Sequence, residues 1–314
     1  MTCYDPIPAY RSNQFGESGK RLVVLCRDRS KVAEISLPCG KCVGCFLDRS
    51  RQWAMRCMHE ASLYDSNCSI TLTFSDDGLS KTCADGSLSR RVFPLFMKRL
   101  RKAALHDGIK FFHAAEYGGK NLRPHHHALL FNCDFNDKVP FFKTPAGSQQ
   151  YTSEALTEIW GLGHATVGDL NYKSAAYVAR YCLKKAEGSV LPASLTPEFC
   201  TMSRGGRTGR GIGFDWYQRY KTDCFPSDFL VINGSKVKPP RYYERLLSQE
   251  RPQFLEEIKA ERLRHAGPIV RTFTDIGRGE VEIRQHPDAT RSRLADRAVV
   301  KKAQIARLRR TLGA

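Results

Sequence analysis

One segment of the chain combines side chains that could hold a metal ion. Three consecutive histidines stand at 125–127, and Glu116 precedes them. Side chains alternate between the faces of a strand, so His125 and His127 would share one face while His126 points to the other. A hairpin could bring Glu116 beside the two imidazoles. This donor set suits Mg²⁺ or Mn²⁺ with open positions for water and phosphate, and it is also compatible with Zn²⁺. The alternative is a strand whose surface histidines face nucleic acid.

A second segment carries two tyrosines that could act as nucleophiles. Tyr177 and Tyr181 are four residues apart, so on a helix both phenols project from one face, with Lys184 on the same side. A phenol has a pKa of about 10, and a nearby ammonium group lowers that pKa and favours attack at neutral pH. Attack on a DNA phosphodiester would give a 5′-phosphotyrosine link and a free 3′-hydroxyl, and two tyrosines would permit two successive transfers. Tyrosines at this spacing are more often core residues, so the interpretation depends on the histidine segment.

The apolar pattern predicts the elements that would position these side chains. Residues 110–117 and 125–132 alternate in polarity and are joined by a segment that begins Gly118-Gly119, which predicts a hairpin. Strands and helices interleave without a regular βαβ repeat, which favours an α+β fold with an antiparallel sheet. The other predicted strands are 21–26, 32–37, 68–74, 164–170 and 229–232, the predicted helices are 46–64, 89–106, 152–160, 172–186 and 239–266, and the segments expected to be irregular are 1–20, 75–89 and 134–150.

The composition indicates a folded protein with a polyanionic partner. Hydrophobic residues make up 41% and charged residues 26% of the 314-residue chain, which is ordinary for a globular protein. Fifty Lys and Arg against 32 Asp and Glu give a formal net charge of +18. Such an excess favours a polyanion through counterion release, and the alternative is a merely basic protein. No apolar run reaches the roughly 18 residues of a membrane span, and the N-terminal segment lacks the pattern of an export signal.

Three cysteines at regular spacing form a candidate zinc site. Cys39, Cys42 and Cys45 are each three positions apart, and the Gly-Lys pair between the first two suits the tight turn of a zinc knuckle. Reduced thiols are expected without an export signal, which favours a metal over disulfides. The fourth ligand could be Cys57, which is the predicted one, His59 or Cys26. The alternative is a turn with reduced thiols at the start of a helix, with Cys57 in the core.

Basic residues outside these segments could contact DNA. Between residues 202 and 213 arginines alternate with glycines, so the backbone could approach a phosphate that the guanidinium groups bind. The alternative is a solvated flexible loop. Residues 287–314 are interpreted as a basic helical or disordered tail, more simply a solvated run of charge than a DNA contact. The predicted DNA-binding residues are Arg123, Arg180, Lys185, Arg204, Arg207 and Arg210.

Several segments together resemble a known family. In order, the three motifs of the HUH endonucleases that initiate rolling-circle replication are resembled by ITLTF (70–74), EYG with RPHHHALLF (116–131) and YVARYCLKK (177–185). The wider pattern is similar to the replication initiation proteins of small single-stranded DNA bacteriophages, the gokushovirus branch of the Microviridae. Further blocks of this resemblance are PCGKCVGCFLDRSRQWAMRCMHE, FCTMSRGGRTGRGIG and KPPRYYERLL, so that it extends from about residue 37 to 247.

The resemblance implies a fold and roles for specific residues. The fold would be the HUH nuclease fold, a central antiparallel sheet flanked by helices, here with an N-terminal Cys-rich element and a basic helical C-terminal tail. The middle position of the HUH motif is usually hydrophobic or aromatic, whereas here it is His126, and a shift of the strand register by one residue would exchange the two faces. The implied metal ligands are His125, His127 and Glu116, and the implied nucleophiles are Tyr177 and Tyr181 with Lys184 as their helper.

The domain organisation predicted on this basis has three parts. Residues 1–66 would hold the N-terminal arm, a hairpin, the Cys cluster and a helix. Residues 67–235 would form the HUH endonuclease core, and residues 236–314 a helical basic C-terminal region.

The implied function is the initiation of rolling-circle replication. The protein would nick a single-stranded origin with Mg²⁺ or Mn²⁺, leave a 3′-hydroxyl for a host DNA polymerase, and rejoin the displaced strand into a circle. The chain shows no P-loop motif, so unwinding would fall to a host helicase. The expected compartment is the host bacterial cytoplasm, without membrane attachment. The alternatives are a relaxase or HUH transposase with the same chemistry, and a non-catalytic nucleic-acid-binding module with a zinc finger.

Overall fold

The chain forms two compact units. The computed structural model describes residues 3–17, 21–28, 32–83, 85–105, 108–119, 121–144, 147–180, 192–204, 210–232 and 234–312. The terminal unit comprises residues 1–48 and 244–314, and the sheet unit comprises residues 49–243. The three-part division expected at 66/67 and 235/236 remains a prediction.

Strands and helices interleave irregularly along the chain. The strands are β1 (Ile7–Phe15), β2 (Arg21–Leu25), β3 (Ile35–Leu37), β4 (Asn67–Thr73), β5 (Lys110–Tyr117), β6 (Pro124–Phe131), β7 (Val139–Lys143), β8 (Gln149–Thr152), β9 (Ala165–Asp169), β10 (Phe199–Met202), β11 (Leu230–Ile232), β12 (Ser235–Val237), β13 (Ile269–Asp275) and β14 (Gly279–Arg284). The helices are α1 (Val43–Ala61), α2 (Asp76–Thr82), α3 (Val92–Ala104), α4 (Glu154–Trp160), α5 (Tyr172–Arg180), α6 (Phe214–Cys224), α7 (Arg241–Glu250), α8 (Pro252–Arg264) and α9 (Arg291–Leu312), with a short 3₁₀ helix at Pro287–Ala289. Among the described helices, none is both long and apolar enough to cross a lipid bilayer.

A seven-stranded sheet is the centre of the sheet unit. Its strand order is β10-β5-β6-β4-β9-β8-β7, and every neighbouring pair is antiparallel. With helices packed on both of its faces, this arrangement is an α+β fold with a large antiparallel sheet, which confirms the fold class predicted from the interleaved pattern. The predicted hairpin is formed by β5 and β6, next to the middle of the sheet.

Each face of this sheet is covered by its own set of helices. On the first face, α2, α3 and α4 pack in a large apolar core in which Phe96 and Trp160 lie with Leu72 of β4. On the second face, α1 and α5 contribute small buried residues such as Ala54 and Ala175. Small side chains allow a helix to approach the strands closely. The candidate active site is built on this second face.

Two elements of the sheet unit occupy segments expected to be irregular. α2 forms within 75–89, because the Ser75 hydroxyl accepts a hydrogen bond from the Gly78 amide at 3.0 Å and caps the helix. Gly78 is required there, since a Cβ would lie 2.0 Å from the carbonyl oxygen of Leu162. The second is the β7–β8 hairpin within 134–150, at the edge of the sheet. Local turn residues indicated loops in both cases, but capping and tertiary pairing decide the structure.

A three-stranded sheet with the order β2-β1-β3 lies in the terminal unit. Ala9 of β1 pairs with Leu25 of β2 and with Ile35 of β3. The expectation of an irregular N-terminal segment is therefore wrong for β1, and β2 and β3 both pair with β1 instead of forming a hairpin. The four polar residues from Arg11 to Gln14 conceal the strand pattern of β1.

A buried carboxylate joins this small sheet to the β13–β14 hairpin within the same unit. Glu34 Oε1 accepts hydrogen bonds from Arg11 Nη1 at 2.7 Å and from Arg278 Nη1 at 2.6 Å. Burial raises the pKa of the Glu34 carboxyl, but the hydrogen bonds from Arg278 and Arg11 outweigh burial and hold this pKa below its usual value. The carboxylate is therefore ionised and fixes the hairpin turn to the sheet.

Candidate active site

The register of the β5–β6 hairpin brings the predicted acid and two of the three histidines together. Glu116 pairs directly with His125, and Ala114 pairs with His127. Glu116 Oε1 lies 2.6 Å from His125 Nε2 and 3.0 Å from His127 Nε2. The small side chain of Ala114 leaves room for this convergence. The candidate ligand atoms of the three residues all lie within 4.8 Å of one another, so one ion could contact them together.

Hydrogen bonds on the far side of each imidazole orient both rings. His125 Nδ1 donates to the carbonyl oxygen of Arg123 at 3.2 Å, and His127 Nδ1 shares a hydrogen bond with the Thr71 hydroxyl at 3.0 Å. Such bonds fix the ring orientation of metal-binding histidines. The Arg123 carbonyl can only accept, so Nδ1 of His125 carries a proton and its Nε2 faces the carboxylate. A second proton or a metal cation must therefore balance the charge between Nε2 and Glu116, and the donor set fits a divalent cation.

Glu116 is suited to act as an ionised ligand. Its side chain is only 4% exposed. Burial raises the pKa of the Glu116 carboxyl, but the hydrogen bonds from His125 and His127 outweigh burial and hold this pKa well below its usual range. The carboxylate is thus charged at every physiological pH, and it provides the negative oxygen that a hard divalent cation requires.

α5 places one of the two predicted nucleophiles beside this cluster. The Tyr177 ring stands perpendicular to the His127 ring, with 5.5 Å between ring centroids. Ala175, Val178 and Ala179 anchor α5 in the core of the second sheet face, while the side chain of Tyr177 is 46% exposed. A substrate as large as DNA could therefore reach the phenol. The other predicted residues of this helix, Tyr181, Lys184 and Lys185, lie outside the described residues.

The middle histidine points to the opposite face of the sheet, as strand alternation predicts. His126 is 1% exposed, and its Nδ1 shares a hydrogen bond of 2.9 Å with Nε2 of the buried His113. Phe74 and Trp160 pack around it. Burial, followed by the charges of the neighbouring imidazoles, lowers the pKa of His126 to about 3. A neutral imidazole thus replaces the usual hydrophobic residue at this position of the motif.

Arg123 is held within the protein. Its Nη2 donates to the carbonyl oxygen of Phe74 at 2.8 Å, and its Nη1 lies 2.8 Å from Asp76 Oδ1. The guanidinium therefore ties β6 to the start of α2, and a DNA contact by it remains a prediction. Of the other predicted DNA-binding residues, Arg180, Arg204 and Arg210 are exposed, while Lys185 and Arg207 lie outside the described residues.

The predicted cysteine cluster has a different fourth member. Cys39, Cys42 and Cys45 converge with Cys3. The structure does not bring Cys57 to this cluster, because Cys57 is fully buried in the apolar core of the second sheet face. Cys3 lies in a segment expected to be irregular, and no local spacing links it to the other three. Similarly, Thr71 was not predicted, because its position beside His127 depends on the pairing of β4 with β6.

Comparison with known proteins identifies the family. Residues 67–186, which contain both the histidine cluster and α5, match the family described as Replication-associated protein ORF2/gene 2 protein. Over 271 residues the chain is 32% identical to Replication-associated protein VP4 of Bdellovibrio phage phiMH2K, a match that covers 83% of this chain and 82% of that protein. The chain belongs to the family of phage replication-associated proteins. This finding confirms the resemblance seen in the sequence.

Other members of the family are similar to the same extent. Replication-associated protein ORF2 of Spiroplasma virus 4 is 33% identical over 252 residues, which covers 75% of each chain. Replication-associated protein ORF4 of Chlamydia phage 1 is 30% identical over 219 residues, which covers 67% of this chain and 53% of that protein. These relatives belong to Microviridae-like phages. No solved structure matches this replication-associated protein.

Proposed function

We propose that this protein initiates rolling-circle replication of a single-stranded DNA phage as an HUH endonuclease. The observation that carries the proposal is the meeting of Glu116, His125 and His127 on one face of the sheet, with Tyr177 of α5 against His127. Two imidazoles and a carboxylate form a metal site that keeps open positions, and a phenol beside it is the nucleophile required for transesterification. Membership of a family of phage replication-associated proteins supports this choice over a relaxase or a transposase.

The metal site and the tyrosines have separate tasks in this proposal. Bound Mg²⁺ or Mn²⁺ would polarise the scissile phosphate and stabilise the charge that develops on its oxygens. Glu116, His125 and His127 hold the ion, while Thr71 and the Arg123 carbonyl keep the two imidazoles aimed at it. The half-exposed phenol of Tyr177 approaches the phosphate from the helix side.

The tyrosine step conserves the energy of the phosphodiester bond. The phenolic oxygen of one tyrosine attacks phosphorus, the bond from phosphorus to the 3′ oxygen breaks, and the departing oxygen takes up a proton. The products are a 5′-phosphotyrosine and a free 3′-hydroxyl. After one round of synthesis the second tyrosine, Tyr177 or Tyr181, cleaves the regenerated origin. The new 3′-hydroxyl then attacks the first phosphotyrosine, which releases the protein and closes the circle. Lys184 would lower the pKa of the attacking phenol.

The charge of the protein and its reaction products define its partners. A net charge of +18 favours a single-stranded DNA origin, and the exposed Arg180, Arg204 and Arg210 would bind its phosphates. The free 3′-hydroxyl is a primer for a host DNA polymerase. A host helicase would unwind the duplex ahead of it, and the compartment would be the host bacterial cytoplasm.

A covalent-adduct assay tests this proposal. We expect the purified protein with Mn²⁺ or Mg²⁺ to cleave single-stranded phage DNA fragments and to remain joined to the labelled 5′ end in a denaturing gel. Tyr177→Phe with Tyr181→Phe should abolish the adduct, because both phenolic oxygens are removed while both rings remain. Tyr172→Phe is the matched control, since Tyr172 lies on the same helix but packs in the core, and it should form the adduct normally. An adduct that persists in the double variant contradicts the nucleophile assignment.

Removal of the Thr71 hydroxyl should weaken metal binding without unfolding the protein. We expect Thr71→Val to lower the affinity for Mn²⁺ by about 10- to 100-fold, which is the usual effect of losing a partner that orients a metal-binding histidine. Calorimetric titration of Mn²⁺ into the full-length chain measures this affinity. Thr73→Val is the matched control, because the Thr73 hydroxyl also lies on β4 but donates to the carbonyl oxygen of His164. Equal affinities for the two variants would show that Thr71 does not orient His127.

A further inference from the structure

Four thiols from two distant parts of the sequence converge in the terminal unit. Cys3 lies near the N-terminus, and Cys39, Cys42 and Cys45 lie around the start of α1. The four sulfur atoms all lie within 4.8 Å of one another. Two of the separations are known individually, since Cys3 Sγ is 3.9 Å from Cys42 Sγ and Cys39 Sγ is 3.9 Å from Cys45 Sγ. The cluster is therefore one group of four thiols with a common centre.

The sulfur separations fit a tetrahedral metal site. With a zinc–sulfur bond of about 2.3 Å, the edge of a ZnS₄ tetrahedron is about 3.8 Å. Both known separations agree with this edge to within about 0.1 Å. A disulfide requires sulfur atoms about 2.05 Å apart and would join only two of the four. All four cysteines are free, so a single shared ion accounts for the arrangement better than disulfide pairs.

Backbone amides around the cluster are oriented to stabilise thiolate charge. The amides of Lys41 and Cys42 point at Cys39 Sγ, at 3.5 Å and 3.3 Å. The Cys39 amide points at Cys3 Sγ at 3.3 Å, and the Tyr4 amide at Cys42 Sγ at 3.2 Å. The turn that makes these approaches possible contains Gly40 at a φ of +73°, a conformation that favours glycine. Four amide–sulfur contacts are more than packing of neutral thiols would need.

The surrounding structure explains why this part of the chain would need an ion. Among the described residues up to 48, the buried apolar side chains are Cys3, Pro8, Ala9 and Ala33. Four consecutive apolar residues of β2, from Leu22 to Leu25, are exposed. The sheet β2-β1-β3 therefore has little apolar core of its own, and small elements of this kind are usually stabilised by a metal or by disulfides.

We propose that Cys3, Cys39, Cys42 and Cys45 bind one structural Zn²⁺. All four coordination positions are filled by protein sulfur, which is the closed arrangement of a structural site and leaves no position for a substrate. The ion fixes the N-terminal segment to the start of α1 and closes a long loop of chain. Cys57 takes no part in the site. This proposal does not depend on the endonuclease function.

Metal analysis of the full-length protein tests the site. The measurement uses a His125→Ala, His127→Ala background, so that zinc in the histidine cluster is not counted. We expect about one zinc per chain after purification under reducing conditions without added metal. Cys3→Ser, Cys39→Ser, Cys42→Ser and Cys45→Ser should each lose it, whereas Cys26→Ser and Cys57→Ala, the matched controls, should keep it. Absence of zinc from the parent protein, iron in its place, or full zinc content in Cys3→Ser would overturn the proposal.

A spectroscopic measurement keeps the test decisive if a serine variant fails to fold. Zinc in the otherwise native chain is exchanged for Co²⁺, and absorption is recorded. We expect the intense sulfur-to-cobalt charge-transfer band of a tetrathiolate site, which nitrogen and oxygen ligands at the histidine cluster cannot produce. Titration with a thiol reagent should release one zinc as four thiols react. A cobalt spectrum without sulfur charge transfer would contradict a cysteine site in the folded protein.

Discussion

His127→Ala is expected to lower the rate of DNA cleavage by at least about 1,000-fold, because loss of metal-assisted charge stabilisation costs several kcal/mol in the transition state. Nε2 of His127 lies 3.0 Å from Glu116 Oε1, at the centre of the proposed metal site. The variant removes one of three ligands and also the ring against which Tyr177 packs. Initial rates of oligonucleotide cleavage at saturating wild-type levels of Mn²⁺ measure the effect.

Controls separate a metal defect from a general one. His164→Ala removes an exposed histidine from the end of β9 and should cleave at the wild-type rate. Raising the Mn²⁺ concentration should restore part of the activity of His127→Ala, because two ligands remain, but none of the activity of the double tyrosine variant. Wild-type cleavage by His127→Ala at limiting Mn²⁺ would contradict the proposed metal site.

Lys110→Met is expected to destabilise the sheet unit by about 3–5 kcal/mol, the usual cost of leaving a buried charge without its partner. Lys110 Nζ lies 2.7 Å from Glu60 Oε1 and 2.8 Å from Asp215 Oδ2, and the Glu60 side chain is fully buried. The ammonium group thus ties α1, β5 and the start of α6 together. For a unit of about 200 residues this loss corresponds to a melting temperature lower by roughly 6–20 °C. Thermal and urea denaturation measure it.

Matched variants show whether the loss comes from the buried charge. Lys81→Met removes an exposed ion pair with Asp77 and should cost at most about 0.5 kcal/mol. Adding Glu60→Gln to Lys110→Met should recover part of the stability, since the uncompensated carboxylate is gone. A loss no larger than that of Lys81→Met would show that Lys110 does not balance Glu60.

The destabilisation by Lys110→Met should not change between pH 6 and pH 9. Burial by itself lowers the pKa of Lys110, but the hydrogen bonds to Asp215 and Glu60 raise this pKa to about 12. A raised pKa means that the contribution to stability is complete below the ordinary lysine pKa of about 10.4 and is lost only as the pH rises through about 12. A difference between wild type and variant that varies strongly below pH 9 would require another titrating group.

The part of the site that lies on β5 and β6 could be predicted from the sequence. The two strands are adjacent in the chain and joined by a short turn, so alternation alone selects His125 and His127, and hairpin pairing brings Glu116 to them. The strong apolar run after His127 marks a buried strand and limits the register. The family resemblance added the roles of the tyrosines, which their helical spacing does not establish.

The rest of the site depends on contacts between distant residues. Thr71 reaches His127 through the pairing of β4 with β6, and Cys3 reaches Cys42 although 39 positions separate them. No local period records such contacts. β1 was missed for a related reason, because its polar residues satisfy the backbone pairing of a strand without the apolar alternation by which strands are recognised.

The most direct test of the central claim is the identity of the peptide that remains joined to DNA. Trypsin cleaves after Arg180, so Tyr177 and Tyr181 fall on different peptides, 174–180 and 181–184. The wild-type protein is incubated with single-stranded phage DNA and Mn²⁺, digested with trypsin and nuclease, and analysed by mass spectrometry. We expect a nucleotide joined through its 5′-phosphate to one or both of these peptides. Metal-dependent cleavage without any adduct, or an adduct on another peptide, would contradict tyrosine transesterification by α5.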